Sequence, residues 1–232
     1  ISIDQLISAT RSVKRAVDRP LVVSDMPYGS YHLGTEETVR NALRLVREGG
    51  AQAVKLEGGH KRASLVQDLV EADIPVMGHI GILPQSVHPR GGYKVQGRTV
   101  EEARELLVDA LALEAAGAFA LVLEGVPAQV AARITDRLQI PTIGIGAGGG
   151  CDGQILVFHD VVGLSLGPTP KFARKYADLA GNIRKALGEF AKDIREKDFP
   201  SAEETYACKE LPEDWDASVE AQPLAPEIRL RN

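Results

Sequence analysis

Residues 35–60 read TEETVRNALRLVREGGAQAVKLEGGH. The first part predicts a helix from about Thr35 to Glu48, and AQAVKLE at 51–57 predicts a buried strand, with Ala51, Ala53, Val54 and Leu56 apolar. Lys55 and Glu57 are set into the end of that strand, just before two glycines. Strand side chains alternate between faces, so these two charges share one face with Ala53 below them. Burying a charge is costly unless it is paired or holds a metal or a substrate. The stretch therefore admits two readings, a structural ion pair inside a barrel or sheet or a functional pair at a strand end.

The same helix and strand alternation continues in both directions. IDQLISATRSVKRAV (3–17) has helical spacing and is closed by Pro20, and LVVSD (21–25) follows as a short strand. Beyond residue 60 come a helix at about 61–72, the strand IPVMGH (74–79), a long loop and a helix at about 99–116. The strand AFALVLE (118–124), a helix near 127–138 and the strand IPTIGIG (140–146) complete the run. QILVFHDVVGL (154–164) is apolar throughout and is left open between a last strand and a short helix. A helix is expected over 171–196. Alternating strand and helix implies parallel strands, and the preferred fold is a TIM (β/α)8 barrel. The opening helix has no strand ahead of it, so the chain is expected to begin inside the second βα unit, with the first strands of the barrel absent. An open doubly wound sheet is the alternative. The expected domains are a barrel over 1–200 and a C-terminal extension with little core over 201–232.

Composition narrows the function classes. The hydrophobic fraction of 44% and charged fraction of 25% are those of an ordinary globular chain, so disorder is not the default. A net charge of -5 without a dense Lys/Arg cluster gives little support for a nucleic-acid or anionic-membrane surface. Cys151 and Cys208 are far apart and lack metal-type spacing, which fits a reducing compartment; a cytoplasmic location is expected. No apolar run is long enough to span a bilayer.

In a barrel the chemistry gathers at the carboxyl ends of the strands. Here four successive strands end in ionisable residues: Asp25, Glu57, His79 and Glu124. Singly, each reads most simply as a cap or a hydrogen-bonded core residue; four in succession, none followed at once by its helix, point to a site beneath long loops. Asp25 and Glu57 are oxygen donors suited to a hard cation such as Mg2+. Lys55 faces the same cavity as a point charge for an anionic substrate, and Glu124 is a candidate general base. GIGAGGG (144–150) is glycine-rich after a strand, a weak phosphate-loop signal. HPRGGYKVQGR (88–98) is expected to form a flap over the site, with Lys94 and Arg98 lending positive charge.

VSDMPYGSY, AVKLEGG, GHIGILPQS, GGYKVQGR, LVLEGVP, IGIGAG, CDGQILVFHD and PKFARKY, in this order, resemble the ketopantoate hydroxymethyltransferases. The resemblance runs to about Tyr206. It implies a (β/α)8 barrel assembled as a homodecamer. It also implies Mg2+, with 5,10-methylenetetrahydrofolate as co-substrate for hydroxymethylation of 3-methyl-2-oxobutanoate in pantothenate biosynthesis. By motif, Asp25 and Glu57 are similar to metal-site residues, Asp25, Lys55 and His79 to residues of the substrate pocket, and Glu124 to the proton acceptor. The family's first two strands, with an Asp-Ser pair of the site, would precede Ile1. Two other readings are a Mg2+-dependent carbon-carbon lyase or mutase on a similar barrel, and a non-catalytic barrel subunit.

Overall fold

The computed structural model describes residues 1–86, 94–208, 210 and 212–217. Six strands are described: β1 (Val23–Asp25), β2 (Ala53–Glu57), β3 (Val76–Gly81), β4 (Ala120–Glu124), β5 (Thr142–Ile145) and β6 (Gly153–Gln154). They form one sheet in the order β1-β2-β3-β4-β5-β6, every pair parallel. A doubly wound sheet reverses its strand order at a switch point. Here each strand lies beside its predecessor, so the sheet winds in one direction, as a (β/α)8 barrel does. The fold is a partial TIM barrel, which removes the doubly wound alternative.

Helices α1 (Ile3–Ala16), α2 (Thr35–Arg47), α3 (Ala63–Glu71), α4 (Val100–Ala115) and α5 (Ala128–Arg137) cover the outer face of the sheet. Ser2 with Gln5, and Thr99 with Glu102, form capping boxes that fix the starts of α1 and α4. The core lies between these helices and the outward residues of the strands. Val54, Leu56, Val76, Ile80, Leu121 and Leu123 are almost wholly removed from water against Leu45, Val66, Leu69, Leu113 and Ile134. Each such side chain contributes about 1.5–3 kcal/mol. A buried hydroxyl pair, Thr10 Oγ1 and Ser24 Oγ at 2.9 Å, docks α1 onto β1.

The open run 154–164 is divided: Gln154 ends β6 and a short helix α6 spans Phe158–Val161. The helix expected over 171–196 begins only at Leu179, as α7 (Leu179–Glu196). The backbone of 171–178 is committed elsewhere. Tyr176 N–H donates to Val161 O at 2.8 Å and Leu179 N–H to Val162 O at 3.1 Å, while Phe172 packs against the bare Cα of Gly146. Tertiary hydrogen bonds thus override local helix propensity in that segment.

The chain divides into two compact units, Ile1–Leu179, which contains the sheet, and Ala180–Asn232. In the second, α7 carries the spaced pairs Lys185–Glu189 and Lys192–Glu196, and Phe190 meets Phe199 edge to face at 5.3 Å. Residues 88–93 of the expected flap lie outside the described residues. Its remainder is tied to the barrel, because Gln96 N–H donates to Gly125 O at 3.1 Å and Arg98 N–H to Glu102 Oε2 at 2.7 Å.

Candidate active site

Alternation along the strands sends Val54, Leu56, Leu121 and Leu123 outward to the helices. Val23, Lys55, Met77, His79, Val122, Glu124, Ile143 and Ile145 go inward, where they line a cavity of about 500 Å3. The strand register explains how the polar residues gather. Asp25 pairs with Lys55, Glu57 with His79, and Gly81 with Glu124. From β1 to β2 and from β3 to β4 the ionisable residue moves two positions further along its strand, while Glu57 and His79 stand level. Barrel strands are tilted and staggered, so this advance keeps the residues at one mouth.

Contacts link all five predicted residues. Lys55 Nζ lies 2.8 Å from Asp25 Oδ1 and 3.2 Å from His79 Nδ1. His79 Nδ1 is 3.8 Å from Glu57 Oε1, and its Nε2 is 3.3 Å from Glu124 Oε2. The last contact is close but not aligned as a hydrogen bond. Lys55 and Glu57 share a face as expected, yet they form no ion pair with each other among the described residues; each has its own partner.

Beyond His79 the strand continues to Gly81, whose φ of 96° is open to glycine. A Cβ there would lie 2.1 Å from Glu124 O, and Ile82 N–H donates to that same oxygen at 2.8 Å. The chain leaving β3 is thereby pressed onto the end of β4.

Burial sets the electrostatics. His79 is 2% exposed, and desolvation lowers its pKa, opposed by Glu124 and reinforced by Lys55, so the imidazole is neutral near pH 7. A lysine ammonium only donates hydrogen bonds. The Lys55 contact therefore assigns the lone pair to Nδ1 and the proton to Nε2, facing Glu124. Glu57 is 4% exposed, and its carboxyl is pushed up to about 7, chiefly by burial, with the negative charges of Asp25 and Glu124 adding to it. The Gln85 N–H and Lys55 act in the opposite direction.

The donor set fits a hard divalent cation. Asp25 Oδ1 is buried and has no hydrogen bond, although Lys55 is near, and Glu57 is a buried carboxylate short of positive charge. Among the described residues no three His, Cys, Asp or Glu side chains are grouped to hold a metal by themselves. Two carboxylates supplemented by water and substrate oxygens suit Mg2+, which keeps much of its hydration.

Two residues escaped sequence reasoning. Gln85 donates its backbone N–H to Glu57 Oε2 at 3.0 Å, and its side-chain Nε2 to Met26 O at 2.9 Å. Tyr31, buried at the foot of the β1 loop, donates its hydroxyl to Gln85 Oε1 at 2.9 Å. Both lie in blocks that carry the family resemblance, VSDMPYGSY and GHIGILPQS, but no periodicity or spacing marks either as part of the site, because their partners lie tens of residues away.

The family model of ketopantoate hydroxymethyltransferase matches residues 1–202. The chain is 51% identical over 220 residues to a 3-methyl-2-oxobutanoate hydroxymethyltransferase of Koribacter versatilis (strain Ellin345), covering 95% of this chain and 74% of that protein. It is 50% identical over 206 residues to the enzyme of the same name from Pelobacter propionicus, covering 89% and 76%. Among solved structures, a putative phosphonomutase from Burkholderia cenocepacia J2315 superposes with a TM-score of 0.50 at 15% identity, over 84% of this chain and 79% of the other. That likeness concerns the fold alone. With a family model spanning most of its length and relatives at half identity over nine-tenths of it, the chain belongs to the ketopantoate hydroxymethyltransferase family.

Proposed function

We propose that this protein transfers a one-carbon unit from 5,10-methylenetetrahydrofolate to 3-methyl-2-oxobutanoate, giving 2-dehydropantoate on the route to pantothenate and coenzyme A. The observation that carries this reading is the make-up of the cavity, in which one ammonium, one neutral imidazole and one carboxylate sit above apolar walls. A branched 2-oxo acid has the matching parts, a charged head and a small apolar tail. Family membership and the names of the relatives support the same substrate.

Asp25 and Glu57 would hold the Mg2+, which when bound supplies Lewis-acid polarisation of the keto acid's oxygens. Lys55, positioned by Asp25 and His79, places positive charge beside the oxygen on which negative charge develops. Glu124 takes the C3 proton. The C3–H pair passes into the enolate, whose carbon forms the new C–C bond to the methylene carbon. The bonds from that carbon to the folate nitrogens break, and one water is consumed to leave the hydroxymethyl group and tetrahydrofolate. His79 stays neutral and directs its Nε2–H toward Glu124, which orients the base without competing for the proton.

The test is isotope exchange. In D2O with Mg2+ and 3-methyl-2-oxobutanoate, without folate, proton NMR should show enzyme-dependent loss of the C3 hydrogen; addition of methylenetetrahydrofolate should then give 2-dehydropantoate. A protein that binds the keto acid but catalyses neither step would refute the reading.

A further inference from the structure

The geometry points to Gln85 as a positioning residue that fixes the Glu57 carboxylate, with Tyr31 as the anchor of its side chain. This rests on the reading of Glu57 as a holder of the divalent cation. After Gly81 the chain makes a tight turn in which Ser86 N–H donates to Leu83 O at 2.9 Å, and the turn brings Gln85 N–H to Glu57 Oε2 at 3.0 Å. That is the single hydrogen bond the Glu57 carboxylate receives among the described residues. It occupies Oε2 and leaves Oε1 facing His79 at 3.8 Å.

A backbone N–H holds a carboxylate only as firmly as its own loop is held. Here the Gln85 side chain does the holding. Its amide donates to Met26 O and accepts from the Tyr31 hydroxyl, both at 2.9 Å. Met26 is fully buried and Tyr31 is 2% exposed, so both bonds are shielded from water on the partner's side while Gln85 itself is half-buried. Met26 N–H in turn donates to Lys55 O at 2.8 Å. The Tyr31 ring is itself fixed, with the Arg62 guanidinium 5.4 Å from its centroid and the His32 ring at 4.4 Å.

One residue thus ties the loops after β1 and β3 to the end of β2. The tie needs an amide: a carboxylate at position 85 has no N–H for Met26, and an alkyl chain has neither group. Groups that orient a metal-holding carboxylate commonly affect metal affinity by 10- to 100-fold when removed.

The experiment follows Mn2+ binding by electron paramagnetic resonance in the wild-type protein and in Glu57→Gln, Gln85→Leu and Tyr31→Phe, with unfolding midpoints measured alongside. Gln85→Leu should weaken Mn2+ binding roughly 10- to 100-fold. Tyr31→Phe should weaken it roughly 2- to 10-fold, the size of one neutral hydrogen bond. Excess metal should recover keto-acid C3 exchange in both, a metal-curable defect that general loosening of the fold would not give. If Gln85→Leu does not fold, Tyr31→Phe decides. Weakened binding in Glu57→Gln together with wild-type binding in the other two would overturn the role of Gln85 and leave the metal site standing. Wild-type binding in Glu57→Gln would instead remove the metal reading on which this inference rests.

Discussion

In a Glu124→Gln variant the side chain keeps its size and loses its capacity to take a proton. The structure argues that little else changes. Glu124 faces the cavity with 16% of its side chain exposed, and among the described residues its one close polar contact is His79 Nε2 at 3.3 Å. Because Lys55 donates to Nδ1, Nε2 carries the hydrogen, and a glutamine carbonyl oxygen can face it as the carboxylate does, with no aligned hydrogen bond to lose. The His79–Lys55–Asp25 chain should therefore survive, with Mg2+-dependent keto-acid binding altered by no more than about 1 kcal/mol, the scale of one hydrogen bond. C3 exchange should fall by roughly 10²- to 10⁴-fold, the usual contribution of a positioned base. At about 1.36 kcal/mol per decade that is about 2.7–5.4 kcal/mol of barrier. Exchange is read by proton NMR in D2O and binding by calorimetry on the same preparation. Wild-type exchange with normal binding would show that Glu124 is not the base, and His79, which touches both Glu124 and Glu57, would be the next residue to replace.

Glu57→Gln should show the opposite split, with a higher Mg2+ requirement and weaker keto-acid binding together; a metal titration of the exchange rate checks it. Gly81→Ala forces a Cβ to within 2.1 Å of Glu124 O at a φ of 96°, so denaturant unfolding should show a loss of at least about 1–3 kcal/mol, with exchange impaired as well. Asp152 accepts hydrogen bonds from the Thr142 N–H and hydroxyl, which lower its pKa below the ordinary 3.8. A depressed carboxylate pKa contributes stability that is present above 3.8 and is lost as pH falls through the lower folded value. Asp152→Ala should therefore lower the unfolding midpoint at neutral pH and remove that part of the acid-induced decline; thermal melts between pH 2 and 6 would show it.

The βα alternation was legible because the hydrophobic period switches cleanly between strand and helix, as at VREGGAQAVKLE, residues 46–57. The choice between barrel and doubly wound sheet was not contained in periodicity; the sequential strand order decided it. The non-helical stretch 171–178 was missed because its residues are acceptable in a helix, and only the bonds from Tyr176 and Leu179 to Val161 and Val162 show otherwise. Asp25, Glu57 and Glu124 stand at strand ends and His79 two residues before one, positions that the local sequence pattern marks. Gln85 could not be found this way, since its three partners, in the loop after β1 and at the end of β2, are brought to it only by the pairing of the strands.

The question of why an apolar strand ends in Lys55 and Glu57 has a physical answer in the charges around them. A structural ion pair would join the two. Instead Lys55 contacts Asp25 and His79, and Glu57 is held by the Gln85 N–H. Three carboxylates, Asp25, Glu57 and Glu124, then stand around one ammonium and a neutral imidazole, an excess of negative charge about buried Glu57 and His79 and half-exposed Asp25. Such an excess is costly, and the protein records the cost by pushing Glu57 up to about 7, where a proton is readily kept. An anionic keto acid brought there alone would add a further negative charge. In the proposed mechanism a divalent cation would offset this excess and leave Lys55 to meet the substrate, so the metal is expected to bind before or together with the keto acid. On the proposed mechanism Lys55 and Glu57 share a face because one would serve the anion and the other the cation that makes the anion tolerable.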